Sequence, residues 1–540
     1  MLTYTFSDRG DESLYAHLYH CLRADIESGV ISPDEKLPSK RPFAKHLGVS
    51  LITVEGAYTQ LLAEGYIRSV PRVGYFANRL QQTEQVKLAP SKPVQVVSES
   101  QKSHGLLPNA SQTGRCELEG GSGASLVGTR AYPTGTNLGA RLHAPLNFPA
   151  PSSPALPSFA LSEEAPPSPS ASTFPLAAWS RTVRDVLAHD PEQELTQQSP
   201  SMGLPRLQKA LAQHVRAFRG LDVAPEQILV ASGAQSIYNL LVQLIGRNAP
   251  MAIENPGYPR LAQIYQYNGV PLACVDLDSD GVSMAQLRTS GAQAVHLMPS
   301  HQFPTGIVTP ISRRYELLSW VTEEPGRYII EDDYDCEFRL TGRPIPTMKS
   351  IDTQDRVIYT NTFTRSLGSS FRVGYAVLPW HLAERYHQEL AFYSCTVSTI
   401  EQLTLARFIE SGDLERHINR VRTQCRTRRD RLLAALDAAG LDSVVTLHGA
   451  EAGLHFLLTI PASWSEAQIV QAFQKAHIAA TPLSRYYVSE PVESCTQSMD
   501  GATFPNPFAS YLISYADLTD IAIEALVERL ALLLLTNVEK

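Results

Sequence analysis

Three separated stretches of this 540-residue chain carry residue types that can work together on a small anion. Ser232–Leu241, SGAQSIYNLL, begins a helix directly after an apolar strand, so its first N–H groups lack carbonyl partners and can hold a phosphate. Ile329–Phe338, IIEDDYDCEF, sets carboxylates and a tyrosine at a strand end, where open α/β sheets bind ligands. Thr362–Tyr375, TFTRSLGSSFRVGY, adds hydroxyls and two arginines seven residues apart, Arg365 and Arg372. Each alone is also an ordinary helix start, polar strand end or loop; their joint order along one chain is the more specific signal. A second set lies near the N-terminus. Ser39, Lys40, Arg41, Lys45, Ser50 and Thr53 offer short polar side chains for base edges and cations for phosphates, and Arg68 and Arg72 follow on a hairpin.

The N-terminal elements suit that second set. Leu14, Leu18, Leu22 and Ile26 recur at helical spacing, and Gly29 and Pro33 end the run. Ser39 can cap a short helix that tolerates Pro42 in its first turn and closes at Gly48. Ser50 can cap a third helix, whose Val54, Ala57, Tyr58, Leu61 and Leu62 form one stripe before Gly65. Two short strands around a turn at Val70–Gly74 complete the order of a winged helix-turn-helix. A formal net charge of −8 restricts DNA contact to this local patch.

Gln, Ser and Pro dominate Gln81–Pro93, and Ala150–Thr173 has too few periodic apolar residues to pack a helix, so 80–173 reads as a linker and low-complexity insertion. A GTRAYPTG segment inside it reads as an attachment to the next domain. After Phe174, helical runs alternate with short apolar strands at Gln227–Ser232, Ala249–Glu254, Ala294–Pro299, Arg327–Asp332 and Arg356–Asn361, the pattern of a mostly parallel sheet covered on both faces. A long basic helix, Leu414–Ala438, then leads to strands His455–Ile460 and Tyr511–Tyr515 and a final helix from Thr519. Seven cysteines without a C-x-x-C pair, and an N-terminus lacking a basic leader or apolar run, fit a reducing, cytoplasmic setting. Leu530–Leu535 is too short an apolar run to span a membrane.

Leu14–Phe76 resembles the GntR-type winged helix-turn-helix in LPSKRPFAKHLGVS, TVEGAYTQLLAEGYI and VGYF. That likeness implies phosphate or base contact for Arg41 and base-proximal roles for Ser50, Thr53 and the Arg72 wing. It departs at Leu51, where an arginine usually follows G-V-S. With PSMGLPRLQKAL, ENPGYPRL and PSHQFPTG, residues 200–540 resemble the aminotransferase-like domain of the MocR subfamily of GntR-type regulators, a fold-type I pyridoxal phosphate (PLP) domain. The resemblance implies that Asp332 pairs with the pyridine nitrogen, Tyr334 approaches the ring hydroxyl and Tyr258 stacks on the ring. It further implies that Arg260 meets an effector carboxylate, and that Ser232, Ala234, Gln235, Thr362 and Arg372 surround the phosphate. The family pattern T-F-S-K becomes Thr362-Phe363-Thr364-Arg365 here. A guanidinium stays protonated and forms no Schiff base, so the covalent hold on PLP is absent. Lys349 is the only lysine between His301 and Ile400, and Leu512 stands where aminotransferases commonly carry an arginine for the substrate carboxylate.

The expected fold is an N-terminal winged helix-turn-helix plus an α/β PLP-dependent transferase-like (aminotransferase fold-type I) domain. Its divisions are 1–79 for DNA binding, 80–173 for the linker and insertion, 174–410 for the large domain and 411–540 for a small subdomain with its connecting helix. The expected function is transcription regulation by a homodimer on double-stranded operator DNA, with no turnover and no membrane contact. PLP held non-covalently, PLP already joined to an amine, or another anionic metabolite are the candidate effectors, with Arg365 adding charge near the lost aldimine carbon. A DNA-binding scaffold without an effector and a PLP-dependent aminotransferase with an attached DNA-binding module are the alternatives. The linker is long enough for the DNA module to move relative to the large domain.

Overall fold

The computed structural model describes residues 2–4, 6, 12–70, 73–80, 174–340, 345–460, 466–475, 478–488, 510–515 and 518–534. Apart from Leu80, the segment read as linker and insertion lies outside them, as does Arg72. Near the N-terminus stand α1 (Leu14–Glu27), α2 (Lys40–Leu47), α3 (Leu51–Ala63) and an antiparallel hairpin of β1 (Ile67–Val70) and β2 (Gly74–Ala77). The stripe on α1 buries Leu18, Leu22 and Ile26 against Val54, Ala57, Tyr58 and Leu61 of α3, as its helical spacing requires. Gly48 ends α2 with φ +66°, a left-handed cap that glycine takes without a Cβ penalty. Ser50 caps α3 by accepting the Thr53 N–H at 3.1 Å.

The large domain is built on an eight-stranded sheet. Its strands are β3 (Ile228–Ala231), β4 (Met251–Asn255), β5 (Leu272–Asp278), β6 (Gly281–Val282), β7 (Ala294–Leu297), β8 (Tyr328–Asp332), β9 (Val357–Thr362) and β10 (Gly374–Val377). They lie in the order β3-β10-β9-β8-β7-β4-β5-β6. Strands β5, β4, β7, β8 and β9 run parallel, while β10 is antiparallel to both its neighbours and β6 closes the far edge antiparallel to β5. Successive residues Leu229 and Val230, and likewise Ile358 and Tyr359, enter different apolar clusters, which is why consecutive positions there are apolar rather than alternating. The helix Asp413–Ala438 leads to a four-stranded antiparallel sheet of β11 (Thr446–His448), β12 (His455–Thr459), β13 (Ala480–Pro482) and β14 (Ser510–Ser514), ordered β11-β12-β14-β13. No described helix is long and apolar enough to cross a membrane.

The DNA module is packed on the large domain, where the linker length alone implied free movement. The described residues on both sides of the linker belong to one compact unit. Ile311, the first residue of a large-domain helix, is 3% exposed and joins the core of the DNA module. Its N–H donates to the Glu64 carbonyl at 2.9 Å. Gly65 lies so close that a Cβ would stand 2.6 Å from the Cβ of Pro310, and its φ of +77° excludes most other residues independently. Glu64 is itself buried, accepts hydrogen bonds from Tyr19 and Gln60, and is pushed above the usual carboxylate range by burial.

Candidate functional site: a DNA-facing helix and an arginine-lined pocket

On the DNA module, Ser39, Arg41, Lys45 and Ser50 are exposed. Ser39 occupies the N-cap position of α2 without a side-chain cap bond. Lys40 is half-buried, its Nζ 3.9 Å from Glu55 and 5.2 Å from the ring centre of Tyr75. Thr53 departs from its expected role at the bases: it is buried, and its hydroxyl lies 2.8 Å from Ser50 Oγ, within the cap of α3. Arg68 departs too, since its guanidinium is engaged inside the module, with Asp34 at 2.7 Å and with the Ala77 carbonyl and Asn78 side chain at 3.2 Å. The residue that does project from the first turn of α3 is Ile52, 79% exposed. The stripe at Val54, Ala57, Tyr58 and Leu61 faces the core and leaves position 52 on the opposite side, so the same periodicity that found the helix also marks its outward residue.

The second site is a cavity of about 160 Å³ at the carboxyl edge of the parallel strands, the edge where Asp332 ends β8 and Thr362 ends β9. It gathers Ala234, Gln235, Tyr258, Arg260, Asp332, Tyr334, Thr362, Arg365 and Arg372 from four separate stretches of sequence. Ser232 is not among the lining residues; its N–H donates to Thr396 Oγ1 at 2.8 Å. Asp332 is buried and accepts a short hydrogen bond on Oδ2 from the Tyr238 hydroxyl. His296 Nε2 lies 3.5 Å from the same oxygen, while the other ring nitrogen meets the Tyr265 hydroxyl at 2.7 Å. Burial, then the neighbouring carboxylate, raises the Tyr238 hydroxyl well above the usual tyrosine range, so it remains a proton donor to Asp332.

Arg372 and the start of the helix Gly233–Ile245 form one end of the cavity. The guanidinium crosses the helix start so closely that a Cβ on Gly233 would be 2.8 Å from Nη2, and Gly233 has φ +74°. Glycine there therefore permits both the turn and the cation above it. Tyr258 and Tyr334 stand nearly perpendicular to Phe303, with ring centres 6.1 and 6.2 Å away. Arg365 lies on the short helix Thr364–Leu367, is 7% exposed, and has its guanidinium carbon 5.4 Å from the Tyr334 ring centre. The Tyr334 hydroxyl lies 3.3 Å from His301 Nδ1, which is also 2.9 Å from Asp335 Oδ2. Burial is the main cause that raises this hydroxyl well above its ordinary range.

Among the described residues no lysine lines the cavity. Lys349 pairs with Asp355 at 2.7 Å on a different helix. Leu512 is buried among Met298, Phe303, Leu457 and Leu483, so the position that could carry a carboxylate clamp is part of an apolar wall. The donors present fit the non-covalent contacts of PLP: a helix start and Arg372 for phosphate, Asp332 for a ring N–H, and tyrosines for the ring. They do not provide an amine for a covalent one. Tyr238, His296 and Phe303 were not among the residues expected to shape the site; Tyr238 reaches Asp332 across 94 residues, a contact that no local pattern announces.

Residues 14–76 match the family described as bacterial regulatory proteins, gntR family, and residues 159–505 match aminotransferase class I and II. An uncharacterized HTH-type transcriptional regulator of Bacillus subtilis, YdeL, is 31% identical over 482 residues, covering 89% of this chain and 91% of the relative. The probable rhizopine catabolism regulatory protein MocR of Rhizobium meliloti is 28% identical over 483 residues, 89% of this chain and 88% of its own length. Among solved structures, an archaeal alanine:glyoxylate aminotransferase superposes with a TM-score of 0.58 at 20% identity, over 69% of this chain and 90% of the neighbour. The helix-turn-helix, the aminotransferase fold and relatives that span both together identify the chain as a member of the MocR subfamily of GntR-type transcription regulators.

Proposed function

We propose that this regulator works as a cytoplasmic homodimer on double-stranded operator DNA and that its aminotransferase-like domain binds an anionic effector reversibly without turning it over. The observation that carries this reading is the cavity lining, in which Arg260, Arg365 and Arg372 face a single carboxylate, Asp332, with no lysine among them. Arg41, Lys45 and Ser50 supply the exposed polar surface toward DNA, and Lys40 adds charge beside them. One winged helix-turn-helix covers one half-site, which favours a two-fold assembly on a repeated operator. If PLP is the effector, Arg372 and the helix start hold its phosphate, Asp332 its ring nitrogen, and Tyr258 and Tyr334 its ring; bound PLP would supply an aldehyde that no lysine here is placed to capture.

The test uses the full-length chain and DNA upstream of its own gene. Addition of PLP or of small phosphorylated carboxylates is expected to change operator affinity, and sedimentation is expected to give twice the chain mass. Borohydride treatment with PLP, followed by peptide mass analysis, is expected to leave every lysine unmodified, and no amino acid should be transaminated. A phosphopyridoxyl adduct on Lys349 or another lysine, or measurable amino transfer, would overturn the non-enzymatic reading. Operator affinity unchanged by every such ligand would leave a scaffold without an effector.

A further inference from the structure

Two histidines and an aspartate, none of them lining the arginine-lined cavity, come together where the large domain meets the small subdomain. His301 follows β7, Asp335 follows β8, and His455 opens β12. All three are enclosed, at 3%, 3% and 1% exposure. One ligand atom from each lies within 4.8 Å of the other two. His301 Nδ1 already stands 2.9 Å from Asp335 Oδ2, and the His301 and His455 ring centres are 4.8 Å apart. Among the described residues, Nε2 of His455 is buried with no hydrogen-bond partner, a state that costs free energy unless a ligand meets it. The backbone makes room for the cluster. Gly453 has φ +74°, and a Cβ there would stand 2.2 Å from His301 Cε1 and 2.4 Å from Asp335 Oδ2. Beside the cluster is a cavity of about 10 Å³, the room one water needs, whose lining includes Ser300, His301 and Asp335. Two arginines share that space: Arg219 is paired with Asp333 at 2.8 Å, and Arg339 is offset by the carboxylates of Glu64 and Glu451.

We propose that His301, Asp335 and His455 bind one divalent transition-metal ion, of which zinc is the type, and that this ion ties the small subdomain to the large domain. Ligand atoms 2.0–2.1 Å from a tetrahedral ion stand about 3.3 Å from one another. The cluster brackets that spacing, with 2.9 Å between His301 and Asp335 and no more than 4.8 Å across the set, so small side-chain movements complete it. The ion takes the place of the proton between His301 Nδ1 and Asp335 Oδ2, which leaves to solvent, and His455 brings its unpartnered Nε2. A water in the adjoining cavity fills the fourth position. The donors set the class of ion: two imidazoles and a carboxylate suit zinc, whereas calcium and magnesium require more oxygens than one aspartate supplies. Two of the ligands belong to the large domain and the third to the small antiparallel sheet, so the ion holds the two parts together as a covalent cross-link would.

The experiment uses the full-length protein, free of any affinity tag, treated with a chelator, dialysed and titrated with zinc chloride. One equivalent per chain is expected to bind with a dissociation constant below about 1 μM, and calcium and magnesium are expected not to displace it. X-ray absorption at the zinc edge is expected to show imidazole nitrogen and oxygen neighbours at about 2.0 Å and no sulfur at about 2.3 Å. Asp335→Asn and His455→Gln are each expected to weaken zinc binding by about tenfold or more, while His189→Gln, at an exposed position, leaves it unchanged. Zinc should raise the unfolding temperature of the wild type and not that of the two ligand variants. Absence of stoichiometric zinc binding overturns the proposal. Sulfur neighbours, which would place the ion on cysteines, overturn it too, as does an affinity that survives both substitutions. The absorption spectrum of the unaltered chain decides the matter even if a variant fails to fold.

Discussion

Replacing Ile311 by alanine should release the DNA module from the large domain while both remain folded. Ile311 belongs to the large-domain helix Ile311–Glu323, yet it is 3% exposed inside the core that holds Leu18, Leu22, Val54 and Leu61. The change removes three carbons from that core; at about 0.8 kcal/mol each the transfer loss is about 2.4 kcal/mol, and an uncollapsed cavity brings it toward 4. That corresponds to a shift of about 50- to 1,000-fold toward the undocked arrangement. The backbone bond from the Ile311 N–H to the Glu64 carbonyl, 2.9 Å long, reports docking directly because it crosses the junction. Hydrogen–deuterium exchange should therefore accelerate at Ile311 and around Gly65 in the variant, whereas amides of β8 and β9 should keep their protection. Unchanged exchange at Ile311 would refute the claim that its side chain secures the junction. Faster exchange throughout the large sheet would refute the claim that the side chain serves the DNA module's core rather than its own domain.

Ile52 should read thymine: replacing thymine by deoxyuridine in each half-site removes the C5-methyl group and should weaken wild-type binding about fourfold at one or more positions, a contact of about 0.8 kcal/mol. Ile52→Ala should bind both DNAs equally; equal binding by the wild type would mean that Ile52 stays out of the groove. Arg41→Ala should weaken every sequence alike and reduce the slope of log affinity against log salt by about one, as loss of one phosphate contact requires; a change confined to one base position would assign it to direct readout instead. Glu254, buried on β4, is pushed up to about 8, mainly by burial and against hydrogen bonds from Met298 and Gln302. Between an unfolded glutamate near 4.3 and that value the folded chain holds a proton that the unfolded chain has lost, so stability should fall as pH rises from about 5 to 8, by about 1.4 kcal/mol per pH unit for this group. Glu337 and Glu331, each raised to about 7 by burial, act with the same sign. Denaturant titrations of wild type and Glu254→Gln at pH 5.5 and 8.5 check this; an identical pH slope in the two proteins would exclude Glu254 as a contributor.

Much of this architecture was legible because it rests on local periodicity. Leu18, Leu22 and Ile26 had to share a face at helical spacing, and strands such as Ile228–Ala231, buried at every position, had to be apolar on both sides. The order of a helix start, a carboxylate-bearing strand end and an arginine-bearing loop placed nine of the ten expected ligand and effector residues around one cavity. What stayed hidden depends on where side chains meet across long separations. Arg68 is drawn to Asp34, 34 residues away, so its charge serves the module rather than a phosphate. Thr53 is polar and lies in the first turn, yet helical rotation turns it inward and Ile52 outward. Ser232 begins the right helix, but its backbone is committed to Thr396 across 164 residues.

The same distinction explains why Arg365 is informative. Its position could be read from the motif, but its consequence depends on surroundings assembled from distant segments. A guanidinium that is 7% exposed has given up most of its hydration, and the aromatic face of Tyr334 lies 5.4 Å from it. Asp332, the cavity's carboxylate, has Tyr238 and His296 on one oxygen and is thereby oriented for a ligand donor. The proposed reading follows from this frame: the cavity offers arginines and Asp332 to a charged ligand, and no described lysine to an aldehyde.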